Sequence, residues 1–95
     1  MPDGAPELEV LTEIEQEVVN MCADAVRVAG LPKSVGEIYG LLFISREPHS
    51  LDDLVARLQI SKGSVSQGLK ALRMFGAIRE GEGPDARRTY FEADI

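Results

Sequence analysis

Residues 50–76, SLDDLVARLQISKGSVSQGLKALRMFG, decide the fold because they predict two short helices joined by a tight turn. Ser50 and Ser61 stand where a helix N-cap is expected, since a serine oxygen can accept a hydrogen bond from a free amide of the first turn. The second helix runs from Ser61 to about Phe75, and Gly76 is expected to end it. Two helices in this arrangement form a helix-turn-helix.

The second of these helices has one apolar side and one small, polar and basic side. When Val65, Leu69 and Leu72 face the core on a helical wheel, the opposite side carries no carboxylate. Such a side suits the major groove of DNA, where Gln67 can pair with adenine and Lys70 can reach guanine or phosphate. The alternative is an ordinary solvated helix face. The predicted DNA-binding residues of this helix are Ser61, Lys62, Gly63, Ser64, Ser66, Gln67 and Lys70.

After the second helix the sequence pattern becomes that of strands. Residues 77–80 and 88–93 predict two strands that are joined by a turn-rich loop. A hairpin that follows a helix-turn-helix makes a winged helix, and the predicted wing spans residues 81–88. Arg87 and Arg88 in the wing could contact the adjacent minor groove or its phosphates, or they could only balance the carboxylates of the loop.

A further helix is expected before the helix-turn-helix. Ser34 and Glu37 match a capping box, which predicts the start of this helix at Ser34. Residues 38–44 are apolar on nearly all sides, so the helix is expected to be central. Gly40 inside it costs about 1 kcal/mol against alanine, which indicates that a neighbouring backbone packs close at that point.

The N-terminal part of the chain predicts a flexible start at residues 1–6 and a long helix over residues 7–30, ahead of a winged-helix domain at residues 31–95. Two apolar stripes run along this helix, one of them a heptad seam with spacings of three and four. One stripe can serve the core of the chain, whereas the other is most simply covered by the same helix of a second subunit. The alternative is one wide buried face. The predicted dimer interface consists of Leu11, Ile14, Val18, Met21, Ala25 and Val28.

Composition agrees with one small domain that has an uneven charge. The chain has 95 residues and a formal net charge of -6. Residues 1–26 hold seven acidic and no basic residues, whereas residues 54–79 hold five basic and no acidic residues. This asymmetry fits a face that binds a polyanion, although a solvated surface would fit the charge alone. The chain contains no long apolar segment and no signal-peptide pattern, so we expect a cytoplasmic protein without a membrane segment.

The sequence argues against an enzyme. It contains one histidine, one cysteine and no tryptophan. Cys22 lies within an apolar stripe, where a buried thiol is expected rather than a nucleophile. His49 follows Pro48 at a helix junction, where a turn residue is expected rather than a ligand or base. No catalytic residue, metal site or cofactor is therefore predicted.

Four sequence blocks, in this order, resemble a known family. They are LPKSVGEIYGLLF at 31–43, SKGSVS at 61–66, FGAI at 75–78 and YFEA at 90–93. Together they resemble the GbsR branch of MarR-type transcriptional regulators. The resemblance implies a dimeric winged-helix protein that binds double-stranded DNA sequence-specifically and regulates transcription. It also implies that the helix after Ser61 is the recognition helix and that the loop before Arg88 is the wing.

Two features depart from this family. Members usually continue past the wing into helices that help them to dimerise, whereas this sequence ends at Ile95, as in a shortened member or a part of a longer chain. Choline-sensing members use aromatic contacts to their ligand, and only five aromatic residues are present here. The resemblance is therefore taken to imply DNA binding and dimerisation, but no effector.

A two-fold dimer would present two recognition helices to successive major grooves, which predicts a palindromic operator. The alternative function is a winged helix that contacts another protein and does not bind DNA. The acidic isoelectric point of about 4.7 and the acidic residues of the wing favour this alternative.

Overall fold

The structure is a computed structural model that describes residues 11–95. Four helices and three short strands form a winged helix-turn-helix, so the predicted mainly helical class with a small β-structure is confirmed. In chain order the elements are α1 (Glu13–Val28), α2 (Lys33–Ile44), β1 (His49–Ser50), α3 (Leu51–Leu58), α4 (Lys62–Met74), β2 (Ile78–Gly81) and β3 (Tyr90–Ala93).

Helix α1 is shorter than predicted because a capping box fixes its start. The Thr12 side chain accepts a hydrogen bond from the Glu15 amide, and the Glu15 side chain accepts one from the Thr12 amide. Thr12 has an extended backbone, which a helix interior does not allow. The prediction of a continuous helix from residue 7 is therefore wrong at positions 11 and 12, which lie outside α1. The flexible start expected at residues 1–6, and residues 7–10, lie outside the described part of the chain.

Helix α2 begins at Lys33 rather than at a serine cap. Its N-cap is Pro32, and no side chain caps it. Proline has a fixed φ close to the helical value, so the helix can begin directly after it. The capping box predicted at Ser34 is therefore wrong, and Ser34 lies in the first turn.

Two glycines of α2 let α1 approach it very closely. A Cβ atom at Gly36 would overlap the backbone carbonyl of Cys22, and one at Gly40 would lie 3.1 Å from the backbone oxygen of Val18. The close backbone contact predicted at Gly40 is confirmed, and Gly36 makes a tighter one.

The core lies where α2 meets the helix-turn-helix and the sheet. Ile38, Leu41, Leu54 and Val65 are fully buried in it. A Cβ atom at Gly68 would lie only 2.5 Å from the Ile38 side chain, so α4 also packs closely against α2. The predicted core side of α4 is thus confirmed, and its opposite side faces away from the protein.

The sheet has the antiparallel strand order β1-β3-β2. The predicted hairpin is confirmed, although β3 begins at Tyr90, two residues later than expected, and pairs with Gly81 at the end of β2. Strand β1 was not predicted. It is only two residues long and pairs with β3 through His49 and Phe91. This pairing joins the start of the helix-turn-helix to the wing.

Candidate nucleic-acid interface

The outer side of α4 brings the predicted DNA-contacting residues together. Gly63, Ser66, Gln67 and Lys70 follow the spacing i, i+3, i+4 and i+7, which places them on one face of the helix. All four are exposed, as are Ser61 and Lys62 in front of them. Their contact with DNA stays a prediction.

Serine pairing shapes the N-terminal end of α4. The Ser61 hydroxyl accepts a hydrogen bond from the Ser64 amide at 3.0 Å and donates one to the Ser64 hydroxyl at 2.9 Å. Ser64 is half-buried, so its side chain is already engaged within the protein. Among the predicted contacts of α4, Ser64 is therefore the least available to a ligand.

The exposed side of α4 is positively charged. The helix contains no acidic residue. Lys62 and Lys70 form no ion pair within residues 11–95, whereas Arg73 pairs with Glu80 at 3.3 Å. Apart from its chain neighbours and the backbone of its own helix, no atom of residues 11–95 lies within 4 Å of a Cβ atom built on Gly63. The surface around Gly63 is thus open, and a polyanion can approach the backbone there.

The wing is held by hydrogen bonds at its centre. The amide of Asp85 donates to the Tyr90 hydroxyl at 3.2 Å, and the amide of Arg87 donates to the Asp85 carboxylate at 3.0 Å. The hydrogen bonds from the backbone and side chain of Arg87 lower the pKa of Asp85 below its ordinary value. This carboxylate is therefore charged at neutral pH, and it reduces the positive charge of the wing.

The two wing arginines differ in how tightly the protein holds them. Arg87 is 91% exposed, and its one ion pair among residues 11–95 is with Asp85, at 3.3 Å. Arg88 donates a hydrogen bond to Asp52 at 2.7 Å and also pairs with Asp85 at 3.4 Å. The hydrogen bond and the charge of Asp52 raise the pKa of Arg88. No local sequence pattern points to Asp52, which lies 36 positions before Arg88.

A largely buried polar cluster lies where α1 meets the last turn of α3, and no local sequence pattern points to it. Arg57 of α3 pairs with Glu15 of α1 at 2.5 Å, and its guanidinium also lies 3.0 Å from the His49 ring. His49 is therefore not the simple turn residue that was expected. No single stretch of sequence could have signalled this cluster, since Glu15 and Arg57 lie 42 positions apart.

Comparison with known proteins gives relatives of one kind. The HTH-type transcriptional repressor GbsR of Bacillus subtilis (strain 168) is 30% identical over 78 residues, which are 82% of this chain and 43% of the relative. The HTH-type transcriptional repressor OpcR of the same strain is 25% identical over 65 residues, or 68% of this chain and 35% of the relative. The chain thus spans less than half the length of these curated relatives. No protein-family model matches it.

Solved structures give the same picture. A crystal structure of a transcriptional regulator superposes with a TM-score of 0.75 at 28% identity, over 86% of this chain and 56% of that one. The resemblance to GbsR-type winged-helix regulators is confirmed. A mutant of MepR, from a multidrug resistant S. aureus clinical isolate, shares the fold with a TM-score of 0.61 at 19% identity, over 85% of this chain and 60% of that one. Both curated relatives are named as HTH-type transcriptional repressors.

Among the described residues of this GbsR-like chain, α1 carries an apolar strip that is largely exposed. Ile14, Met21 and Val28 are 67%, 64% and 91% exposed. Ala25 is also exposed, and Val18 is half-buried. We call these five residues the α1 strip. The sixth residue of the predicted dimer interface is placed elsewhere, because Leu11 precedes the helix and packs against the core of its own chain.

The other stripe of α1 serves the fold of the chain itself. Val19 is buried in the core, and Val26 packs against it. One wide buried face is therefore excluded for α1 within a single chain. Across residues 11–95, no helix has the length and apolar character needed to cross a membrane.

Proposed function

We propose that the chain is a sequence-specific regulator of transcription that binds double-stranded DNA. In this proposal α4 enters the major groove, and residues 81–88 contact the flanking backbone or minor groove. The observation that carries it is the outer side of α4, which is exposed, free of carboxylates and bears two lysines that pair with no acid in the described residues. A helix with an open N-terminal end and such a surface suits a phosphate backbone.

The residues divide into two roles. Lys62 lies at the start of α4, where the helix dipole and its own charge both favour a phosphate. Gln67 and Lys70 lie further along the same face, where side chains can reach base edges. Arg87 is the more available wing arginine because it is nearly fully exposed, whereas Arg88 must exchange Asp52 for a phosphate.

We also propose that two chains form a dimer through the α1 strip. The strip places five apolar residues on one side of α1, from Ile14 to Val28, and this distance is about 21 Å. Small proteins seldom leave so continuous an apolar surface in water. A two-fold dimer would present two copies of α4 to half-sites about 34 Å apart, and so would bind a palindromic operator.

A salt titration of duplex binding tests the function. Lys62→Ala should weaken binding to all sequences alike and reduce the slope of log affinity against log salt by about one. Gln67→Ala should instead relax the preference at one base position, at about 1–3 kcal/mol. Arg27→Ala is the matched control, because it removes one exposed positive charge from α1 rather than from α4, and it should leave the salt slope unchanged.

The charge of the wing gives the second candidate function some support. Within the described residues, the two wing arginines, Arg87 and Arg88, are each paired with at least one carboxylate. A wing whose arginines are neutralised is better suited to a protein partner than to DNA. The absence of duplex binding even at low salt would favour this second function and contradict the first.

A further inference from the structure

In the described part of the chain, one ion pair joins α1 to the helix-turn-helix. A guanidinium nitrogen of Arg57 lies 2.5 Å from a carboxylate oxygen of Glu15, and the two side chains are only 8% and 18% exposed. The other terminal nitrogen of Arg57 lies 3.0 Å from Nε2 of His49, and Nδ1 of that ring lies 2.9 Å from the backbone oxygen of Glu47. His49 therefore donates to Glu47 and accepts from Arg57, which fixes the guanidinium in one orientation.

The Glu15–Arg57 pair connects two elements whose relative orientation matters for the position of α4. Arg57 lies in the last turn of α3, two residues before Gln59, whose φ of +57° makes the tight turn into α4. Glu15 lies in the first turn of α1. Elsewhere α1 packs on α2 through the close contacts at Gly36 and Gly40. The pair thus connects the first turn of α1 to the turn at Gln59, which sets the direction of α4.

We propose that the Glu15–Arg57 pair sets the angle between α1 and α4, and thereby selects the spacing of half-sites that a dimer accepts. This inference rests on the proposed function, since it needs DNA binding and a dimer formed through the α1 strip. Glu15 and Arg57 are positioning residues in this account. They do not touch DNA, but they decide where the two copies of α4 stand relative to each other.

Simple geometry shows that a small change in this angle matters. Helix α1 has 16 residues and is therefore about 24 Å long. A tilt of about 10° moves its far end by about 4 Å, which exceeds the rise of about 3.4 Å for one base pair. Adding one base pair between half-sites also rotates them by about 35°. A rigid contact at one end of α1 can therefore make a dimer bind half-sites at one spacing more tightly than half-sites one base pair closer or further apart.

A buried ion pair suits this task better than an apolar contact. Apolar burial is non-directional, whereas a charge-assisted hydrogen bond between two charged groups holds only at a narrow range of distances and angles. Removing one partner alone would leave an unpaired buried charge and destabilise the whole domain. The informative variant is therefore the double change Glu15→Gln with Arg57→Gln, which removes both charges together.

The experiment measures binding to sites selected by the wild-type protein from random duplexes. One set of duplexes carries two half-sites separated by spacers that differ by single base pairs, and another duplex carries one half-site. The wild type should prefer one spacing by about tenfold over a spacer changed by one base pair, because that change also rotates the half-sites. The double variant should keep its half-site affinity within about twofold, whereas its spacing preference should fall below about threefold.

Controls separate this inference from the proposed function. Arg79→Gln with Glu92→Gln removes an exposed ion pair from the sheet and should leave the spacing preference intact. If the double variant of the buried pair does not fold, Glu15→Asp keeps both charges but shortens the link, and it should shift the preferred spacing.

Unchanged spacing preference in a folded variant would overturn the inference, and so would a parallel loss of half-site affinity. A wild type that binds no duplex, or binds only as a monomer, would instead contradict the proposed function.

Discussion

At the scale of single residues, His49 makes the stability of the chain depend on pH. It is only 3% exposed, and its Nε2 atom faces the Arg57 guanidinium. Burial lowers the pKa of His49 below its ordinary value, and the charge of Arg57 acts in the same direction. Between that lowered pKa and about 6.5, the unfolded chain binds a proton that the folded chain does not. Stability from this residue is therefore complete above about pH 6.5, declines as the pH falls from there to the folded pKa, and is fully lost below that pKa.

Urea unfolding of the wild type and of His49→Gln between pH 7.5 and pH 5 measures this effect. The free energy of unfolding should fall more steeply with acidification in the wild type, because glutamine does not titrate and can still accept from Arg57. His49 is the only histidine, so the difference between the two curves belongs to this site. Parallel curves would mean that His49 is as accessible to protons in the folded chain as in the unfolded one.

Sequence patterns predicted local features of the structure, but they did not predict ion pairs between residues that are distant in the sequence. The exposed side of α4 and the close contact at Gly40 follow from the helical period and from propensity, which act within a few positions. The Asp52–Arg88 and Glu15–Arg57 pairs join residues 36 and 42 positions apart, so no local rule could identify them. They arise only when the fold brings separate elements together.

At the scale of elements, alanine substitutions at two glycines distinguish the effect of helix packing on stability from the effect of helix propensity. An alanine methyl at Gly36 would overlap the backbone of α1, which cannot move aside as a side chain can, so Gly36→Ala should destabilise the chain by about 1–3 kcal/mol. A Cβ atom at Gly63 would meet no described atom within 4 Å beyond its chain neighbours and its own helix backbone, so Gly63→Ala should stabilise the free protein by about 0.5–1 kcal/mol. Urea midpoints measure both changes.

The same two variants report on DNA binding. If α4 enters the groove as proposed, the added methyl of Gly63→Ala should weaken binding although it stabilises the fold. Equal stability changes at the two positions would show that α1 and α2 do not pack as closely as described.

Element boundaries followed from capping rules where one cap was available. Ser50 and Ser61 begin α3 and α4 as predicted. Two starts were wrong because a competing residue decided them: Thr12 begins α1 by its own capping box, and Pro32 begins α2 without a side-chain cap. Strand β1 has two residues, too few for any alternating pattern, and exists only because β3 pairs with it.

At the scale of the whole molecule, the α1 strip predicts a dimer that one added charge should disrupt. In the proposed dimer Met21 lies in the middle of the strip, so Met21→Glu would bury a carboxylate between two apolar surfaces, which is strongly unfavourable. Asn20→Glu is the matched control, because it adds the same charge one position away, on an exposed side of α1 that lies off the strip. Sedimentation of all three proteins should be compared at one concentration, roughly 20 µM, because dimer formation depends on protein concentration. The wild type and Asn20→Glu should sediment as dimers, and Met21→Glu should sediment as a monomer.

Salt and DNA extend this prediction to function. Glu13 and Glu17 are exposed on α1, so their repulsion should make the dimer weaker at low salt, whereas DNA binding becomes stronger there. Met21→Glu should therefore lose its preference for palindromic sites but retain the affinity of a single half-site, because α4 and its core are unchanged. If Met21→Glu stays dimeric, or if the wild type is a monomer, the α1 strip is not the interface.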